Sequence, residues 1–160
     1  AGFICESFAY QVYAPNVLLN VIKAISRIVP RLPVLRLKNR DFSRDPAVVA
    51  LMDADPLIAG EVQPMATVAA LARATDRLKT GFASIRCPIL ILHGTEDKVT
   101  RPSGSLEFYE TAGAPDKTLK LYDGHSQDLF NDIGRERVLA DIVAWMEARL
   151  PAAKEISATG

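Results

Sequence analysis

Only two histidines occur in the 160 residues, and each lies close to acidic side chains. His93 opens the run His93-Gly94-Thr95-Glu96-Asp97, and His125 sits in Tyr122-Asp123-Gly124-His125-Ser126-Gln127-Asp128. Imidazole can take and return a proton near neutral pH, and a carboxylate that orients it completes a general base. Asp97 and His125 are therefore the first candidates for an acid and a base. A nucleophile is harder to find. Serines stand at 7, 26, 43, 84, 103, 105, 126 and 157. None has glycines two before and two after it, so none sits in the G-x-S-x-G elbow that exposes a reactive serine beside oxyanion-binding amides. Cys5 and Cys87 belong to no C-x-x-C pair, and nothing beside them would activate a thiol; both read as small buried hydrophobes. Their number and placement fit a reducing, cytoplasmic compartment. No metal-ligand spacing, G-x-G-x-x-G or Walker loop is present, so no metal and no cofactor are expected.

The elements that must position these groups can be read from periodicity. Phe3, Ile4, Cys5 and Phe8 suggest a short buried strand. Residues 16–29 space Val17, Leu18, Ile22, Ile25 and Ile28 as an amphipathic helix, which Pro30 and Pro33 end. Asp45-Pro46 is a helix start, with Asp as cap and Pro in the first turn. Residues 56–64 read as loop, and 65–80 as a helix with a stripe through Val68, Leu71 and Leu78. Pro88-Ile89-Leu90-Ile91-Leu92 is apolar on both faces, as an interior strand of a parallel sheet requires. A helix from Pro102, an alternating strand over 117–122 and a helix over 134–150 follow. His93, at the strand end before Gly94, reads as a hydrogen-bonded structural residue.

Strand, helix, strand, helix implies an α/β fold with parallel strands. The expected organisation is a sheet strand in 1–10, a helical insertion in 11–82, the strand–helix–strand–helix core in 83–150, and a polar tail in 151–160. Open α/β sheets bind ligands beyond the carboxyl ends of their strands. The Asp97 loop and the 122–128 loop both fall there, one strand step apart.

At this point the residues resemble a family. Cys87–Thr100, CPILILHGTEDKVT, is similar to the penultimate strand and acid loop of α/β-hydrolases, especially the monoacylglycerol lipase-like serine hydrolases. KTLKLYDG resembles the strand and turn before their catalytic histidine, and NRDFSRDPAVVALMDADPL resembles part of their lid. The resemblance covers most of the chain but only the C-terminal half of such an enzyme. It implies the C-terminal part of an α/β-hydrolase parallel sheet, about three strands, with a helical lid insertion. It gives Asp97 the acid role. It also implies a lipase or esterase acting on a carboxylic ester or acylglycerol, with the serine upstream of Ala1. The family places its histidine three residues after the turn glycine. Counting from Gly124, that position is Gln127, and His125 comes two residues early. Gln127 cannot serve as a proton carrier, and without the upstream nucleophile and central strands the chain alone is expected to be inactive. The alternative is a non-catalytic hydrolase-like domain that binds an apolar ligand or a protein partner.

Composition narrows the partners. Nineteen basic and 19 acidic residues balance to zero net charge, which offers nucleic acid no attraction. The mild cluster Arg36, Lys38, Arg40 and Arg44 reads as a solvated face. No apolar run reaches the length of a transmembrane segment, and the start lacks signal-peptide character. The expected partners are a small-molecule ester or lipid substrate and the rest of the hydrolase chain, which the sheet needs for completion. The lid stripes over 16–29 and 65–80 are expected to pack on the core rather than to face substrate.

Overall fold

The computed structural model describes residues 1–150; the tail expected over 151–160 lies outside them. Strand β1 (Phe3–Glu6), strand β4 (Ile89–Gly94) and strand β5 (Lys117–Tyr122) form one parallel sheet in the order β1-β4-β5. Ile4 pairs with Leu90, and Ile91 with Leu119. Every residue of β4 is buried, because its alternate side chains feed two separate cores. Ile89 and Ile91 pack with Cys5, Tyr10, Phe82 and Phe108 on one face. Leu90 and Leu92 pack with Tyr122, Leu129 and Val138 on the other. Helix α4 (Pro102–Thr111) supplies Phe108 to the first core, and helix α5 (Arg135–Glu147) supplies Val138 to the second. A strand with two covered faces must be apolar at every position, and PILIL meets that requirement.

Between β1 and β4 lie helix α1 (Asn16–Ile25), strand β2 (Pro33–Leu35), helix α2 (Pro46–Ala54), strand β3 (Gln63–Pro64) and helix α3 (Met65–Gly81). Asp45 caps α2 by accepting the Ala47 amide at 2.9 Å, with Pro46 in its first turn, as the Asp-Pro pair predicts. Strands β2 and β3 form a small antiparallel ribbon that the prolines hid from the sequence reading. Pro33 and Pro64 face one another there, which an edge pairing tolerates.

Three expectations need correction. The first helix ends at Ile25, and irregular turns carry the chain from there to Pro30. Helix α3 buries Met65, Ala69 and Ala72, whereas Leu71 is 61% and Leu78 42% exposed. The buried face of α3 is thus made largely of small alanines, and the larger leucines turn outward. In α1 no residue is buried, and Val17 is 75% exposed; most of the stripe residues expected to pack on the core face outward, with Ile22 and Val68 half-buried. Cys87 is exposed, unlike buried Cys5, because it precedes the strand rather than entering it. Among the described residues no helix is long and apolar enough to cross a membrane.

Gly94 ends β4 at a place where no side chain fits. A Cβ there would overlap the carbonyl oxygens of His125 and Ser126 and lie 2.7 Å from the His125 carbonyl carbon. The neighbours are backbone, so the chain itself would have to move. Gly94→Ala is expected to destabilise the fold by about 3 kcal/mol, the upper range for overpacking. Urea unfolding midpoints of the two proteins measure it, and a variant as stable as the parent would contradict the close approach.

Candidate active site

Because Gly94 lacks a side chain, the loop after β4 and the loop after β5 touch backbone to backbone. The Thr95 amide donates to the Tyr122 carbonyl at 3.0 Å, and the Glu96 amide to the His125 carbonyl at 3.0 Å. The Gly124 amide returns to the Thr95 hydroxyl at 2.9 Å. Gly124 itself has φ +71, the left-handed conformation that a glycine adopts without strain.

Asp97 lies in the first of these loops, 1% exposed. Its Oδ1 accepts the Val99 amide at 2.7 Å and the Thr100 amide at 2.8 Å. Its Oδ2 accepts the Thr100 hydroxyl at 2.6 Å and faces His93 Nε2 at 3.0 Å. Burial works to push this carboxyl up, but the His93, Thr100 and Val99 bonds outweigh it and hold Asp97 below the ordinary carboxylate range. His93 is fully buried and its Nδ1 lies 2.7 Å from the Ser105 hydroxyl. It is the hydrogen-bonded structural residue that the sequence predicts, and its partner is Asp97.

The second loop holds the two candidates for the base. Gln127 is half-buried, and its carbonyl accepts the Ser7 hydroxyl. Ser7 follows β1 with φ +44, the one non-glycine residue with positive φ among those described; such strain persists where surrounding contacts fix it. Its carbonyl faces the Thr100 hydroxyl at 3.4 Å. Asp97, Thr100, Ser7 and Gln127 thus form one contiguous group across three loops. His125 points elsewhere. Its backbone carbonyl meets the Asp97 loop, while its ring packs against that of Tyr122, tilted by 52° at 5.6 Å between centroids, and lies over Gly134. Nδ1 is 3.1 Å from the Asp123 carbonyl, and Nε2 is buried without a partner. Neither His125 nor Gln127 makes a hydrogen bond to Asp97 among the described residues.

Residues on both sides of Gln127 are anchored. The Ser126 amide donates to Asp132 Oδ2 at 2.8 Å, the Asp128 amide to the Phe42 carbonyl at 2.8 Å, and the Leu129 amide to Glu6 Oε1 at 2.7 Å. Burial pushes the Glu6 carboxyl up; the Leu129 bond opposes this and Asp128 adds to it. Asp132 is held low despite burial, by the Ser126 and Arg44 bonds. Sequence reading had no signal for Ser7, Glu6 or Asp132, since each acts through contacts with residues distant in the chain. No group of three or more His, Cys, Asp or Glu side chains gathers into a metal site among the described residues.

The sequence matches the model of the family described as serine aminopeptidase, S33, over residues 1–134. It is 31% identical over 134 residues to a monoacylglycerol lipase of Mycolicibacterium smegmatis, covering 84% of this chain and 48% of that protein. It is 31% identical over 110 residues to the caffeoylshikimate esterase of Arabidopsis thaliana, covering 67% of this chain and 33% of that one. The chain thus spans half or less of these relatives' length. A crystal structure of a monoacylglycerol lipase from Paleococcus ferrophilus superposes with a TM-score of 0.83 at 26% identity, over 93% of this chain and 59% of that one. The three-stranded parallel sheet with its helices corresponds to the C-terminal part of such an α/β-hydrolase.

The Asp97 network makes stability depend on pH in a defined direction. A carboxylate held below its unfolded value adds stability above that value and loses it as pH falls through the folded value. Asp97→Asn is expected to cost about 1–3 kcal/mol near neutrality, because an amide places a donor against His93 and Thr100. The gap between parent and variant should begin to narrow near the unfolded carboxylate value, about pH 4, and close as pH falls through the lower folded value. Urea midpoints measured across this range test it; a gap independent of pH would reject the assignment.

Proposed function

We propose, for a chain that belongs to the serine aminopeptidase S33 family of α/β-hydrolases, that it is the lid and C-terminal part of a serine hydrolase cleaving carboxylic esters or acylglycerols. The observation that carries this reading is the buried, fully bonded Asp97 in a loop pinned against the loop of residue 127. In the proposed enzyme an upstream serine attacks the ester carbonyl, Asp97 supplies the orienting carboxylate, and position 127 is the base position. Residues 11–82 form the lid over the acyl group. The free side of β1, which pairs with β4 alone among the described strands, supports a sheet completed by further chain. The relatives' names support the ester and acylglycerol substrate class.

Gln127 favours a second reading for the protein in its present form. An amide neither accepts the serine proton nor carries the positive charge that follows. With that position occupied by glutamine, and with an exposed apolar face on α1, the domain binds an apolar ligand or a partner without turning it over.

One experiment separates the two readings. The complete gene product is expected to encode a G-x-S-x-G upstream of Ala1 and to hydrolyse p-nitrophenyl esters poorly. Gln127→His should raise kcat by about 100-fold or more, the usual contribution of a general base. An upstream segment without the elbow, or no gain from the substitution, would reject the hydrolase assignment of this site.

A further inference from the structure

We infer that Arg44, in the segment between β2 and α2, is a positioning residue that acts through Asp132 to fix residue 127 beside the acid loop. Asp132 has no exposed side-chain surface, and a buried carboxylate needs its full set of donors. Arg44 provides two of them, its amide to Oδ1 at 2.7 Å and its Nε to Oδ2 at 2.8 Å. The Ser126 amide provides another, to the same Oδ2 at 2.8 Å. The Arg44 Nη2 reaches the Ile133 carbonyl at 2.6 Å. One guanidinium therefore spans both the carboxylate and the turn that carries it, 88 residues away in sequence.

Two neighbours of Arg44 repeat the connection. The Ser43 hydroxyl donates to the Asn131 carbonyl at 2.8 Å, and the Phe42 carbonyl accepts the Asp128 amide at 2.8 Å. Residues 126 and 128 are thus both held by segment 42–44, one through Asp132 and one directly, and 127 lies between them. Segment 42–44 leads into α2 through the Asp45 cap. The end of β1 holds residues 127 and 129 through Ser7 and Glu6, and the insertion between β1 and β4 adds the holds on 126 and 128. A lysine could keep the charge at 44 but not the fork that meets carboxylate and carbonyl together.

Amide hydrogen exchange on the full chain tests this directly. Arg44→Gln should accelerate exchange at Ser126, Asp128 and Leu129 by about 10- to 100-fold, the loss of a charge-assisted hydrogen bond. Exchange in β4 should not change. Arg44→Lys should give a smaller increase at the same amides. Lys23→Gln, which breaks the exposed Lys23–Asp76 pair elsewhere in the insertion, should leave them unaffected. Unchanged exchange at 126–129 in Arg44→Gln, or an increase equal in β4, would overturn the inference; if Arg44→Gln does not fold, the Lys variant decides by the same criterion. A second arm rests on the reading of 127 as the base position. In the complete product carrying Gln127→His, Arg44→Gln should lower kcat about 10- to 100-fold with KM nearly unchanged, as a displaced base would. Absence of any hydrolysis in Gln127→His would reject the hydrolase reading while leaving the exchange result to decide the role of Arg44.

Discussion

The close backbone approach at Gly94 is the constraint on which the site depends. Two parallel strands bring their following loops side by side, but ordinary side chains would keep those loops apart. Removing the Cβ at the last residue of β4 lets the 125–126 peptide descend onto it. Amide–carbonyl bonds at Thr95 and Glu96 then close the gap. From that contact follow the side-by-side placing of the Asp97 and 122–128 loops and the position of the His125 backbone. Its carbonyl is committed to the Glu96 amide, so its ring is left on the far side, against Tyr122 and Gly134.

Around this contact the protein spends its buried carboxylates unevenly. Asp97 and Asp132 are each surrounded by donors that more than offset desolvation, and both are held low. Glu6 has a single strong amide donor and Asp128 nearby, and it is held high. The difference is one of donor number rather than depth, because a carboxylate accepting two or three amide or guanidinium bonds keeps its charge even when enclosed. Asp97 and Asp132 fix loops as charged acceptors, while Glu6 is the acid of the three most easily protonated. Each carboxylate ties together segments far apart in the chain, so the site belongs to the tertiary structure and to no single element.

That distribution explains what could be read from the chain and what could not. The uninterrupted apolar PILIL run identifies an interior strand because both faces must be covered, and the two separate cores around β4 confirm the reason. His93 followed by Gly94 and Asp97 marks a loop at the strand's carboxyl end because strand end, tight turn and carboxylate fall together, and the structure buries that carboxylate among donors. The Asp45-Pro46 helix start is local chemistry and is legible as such. Pro33 and Pro64, by contrast, hide a two-stranded ribbon, since proline argues against a strand unless the pairing is known. The α3 stripe misleads because helix packing here uses alanines, which periodicity weighs lightly against leucine. Arg44 was visible only as one charge in a mildly basic stretch. Its partner is 88 residues away, and no pattern within the segment marks it.

Gln127 is best understood against the frame that holds it. A loop that had merely lost a function would have no reason to keep four independent anchors on residues 126 to 129. Here the flanking amides are bound by Asp132, Phe42 and Glu6, and the carbonyl of 127 receives the Ser7 hydroxyl. These bonds use backbone groups and are indifferent to the side chain at 127. Substituting that side chain therefore changes the chemistry available without releasing the geometry. The His125 ring lies apart from this group, against Tyr122 and Gly134, with its backbone carbonyl bound by the Glu96 amide. The stretch between Tyr122 and Asp128 combines a backbone fixed by contacts from three other segments with a side chain at 127 that carries no proton near neutrality, and the backbone is the part that the fold secures.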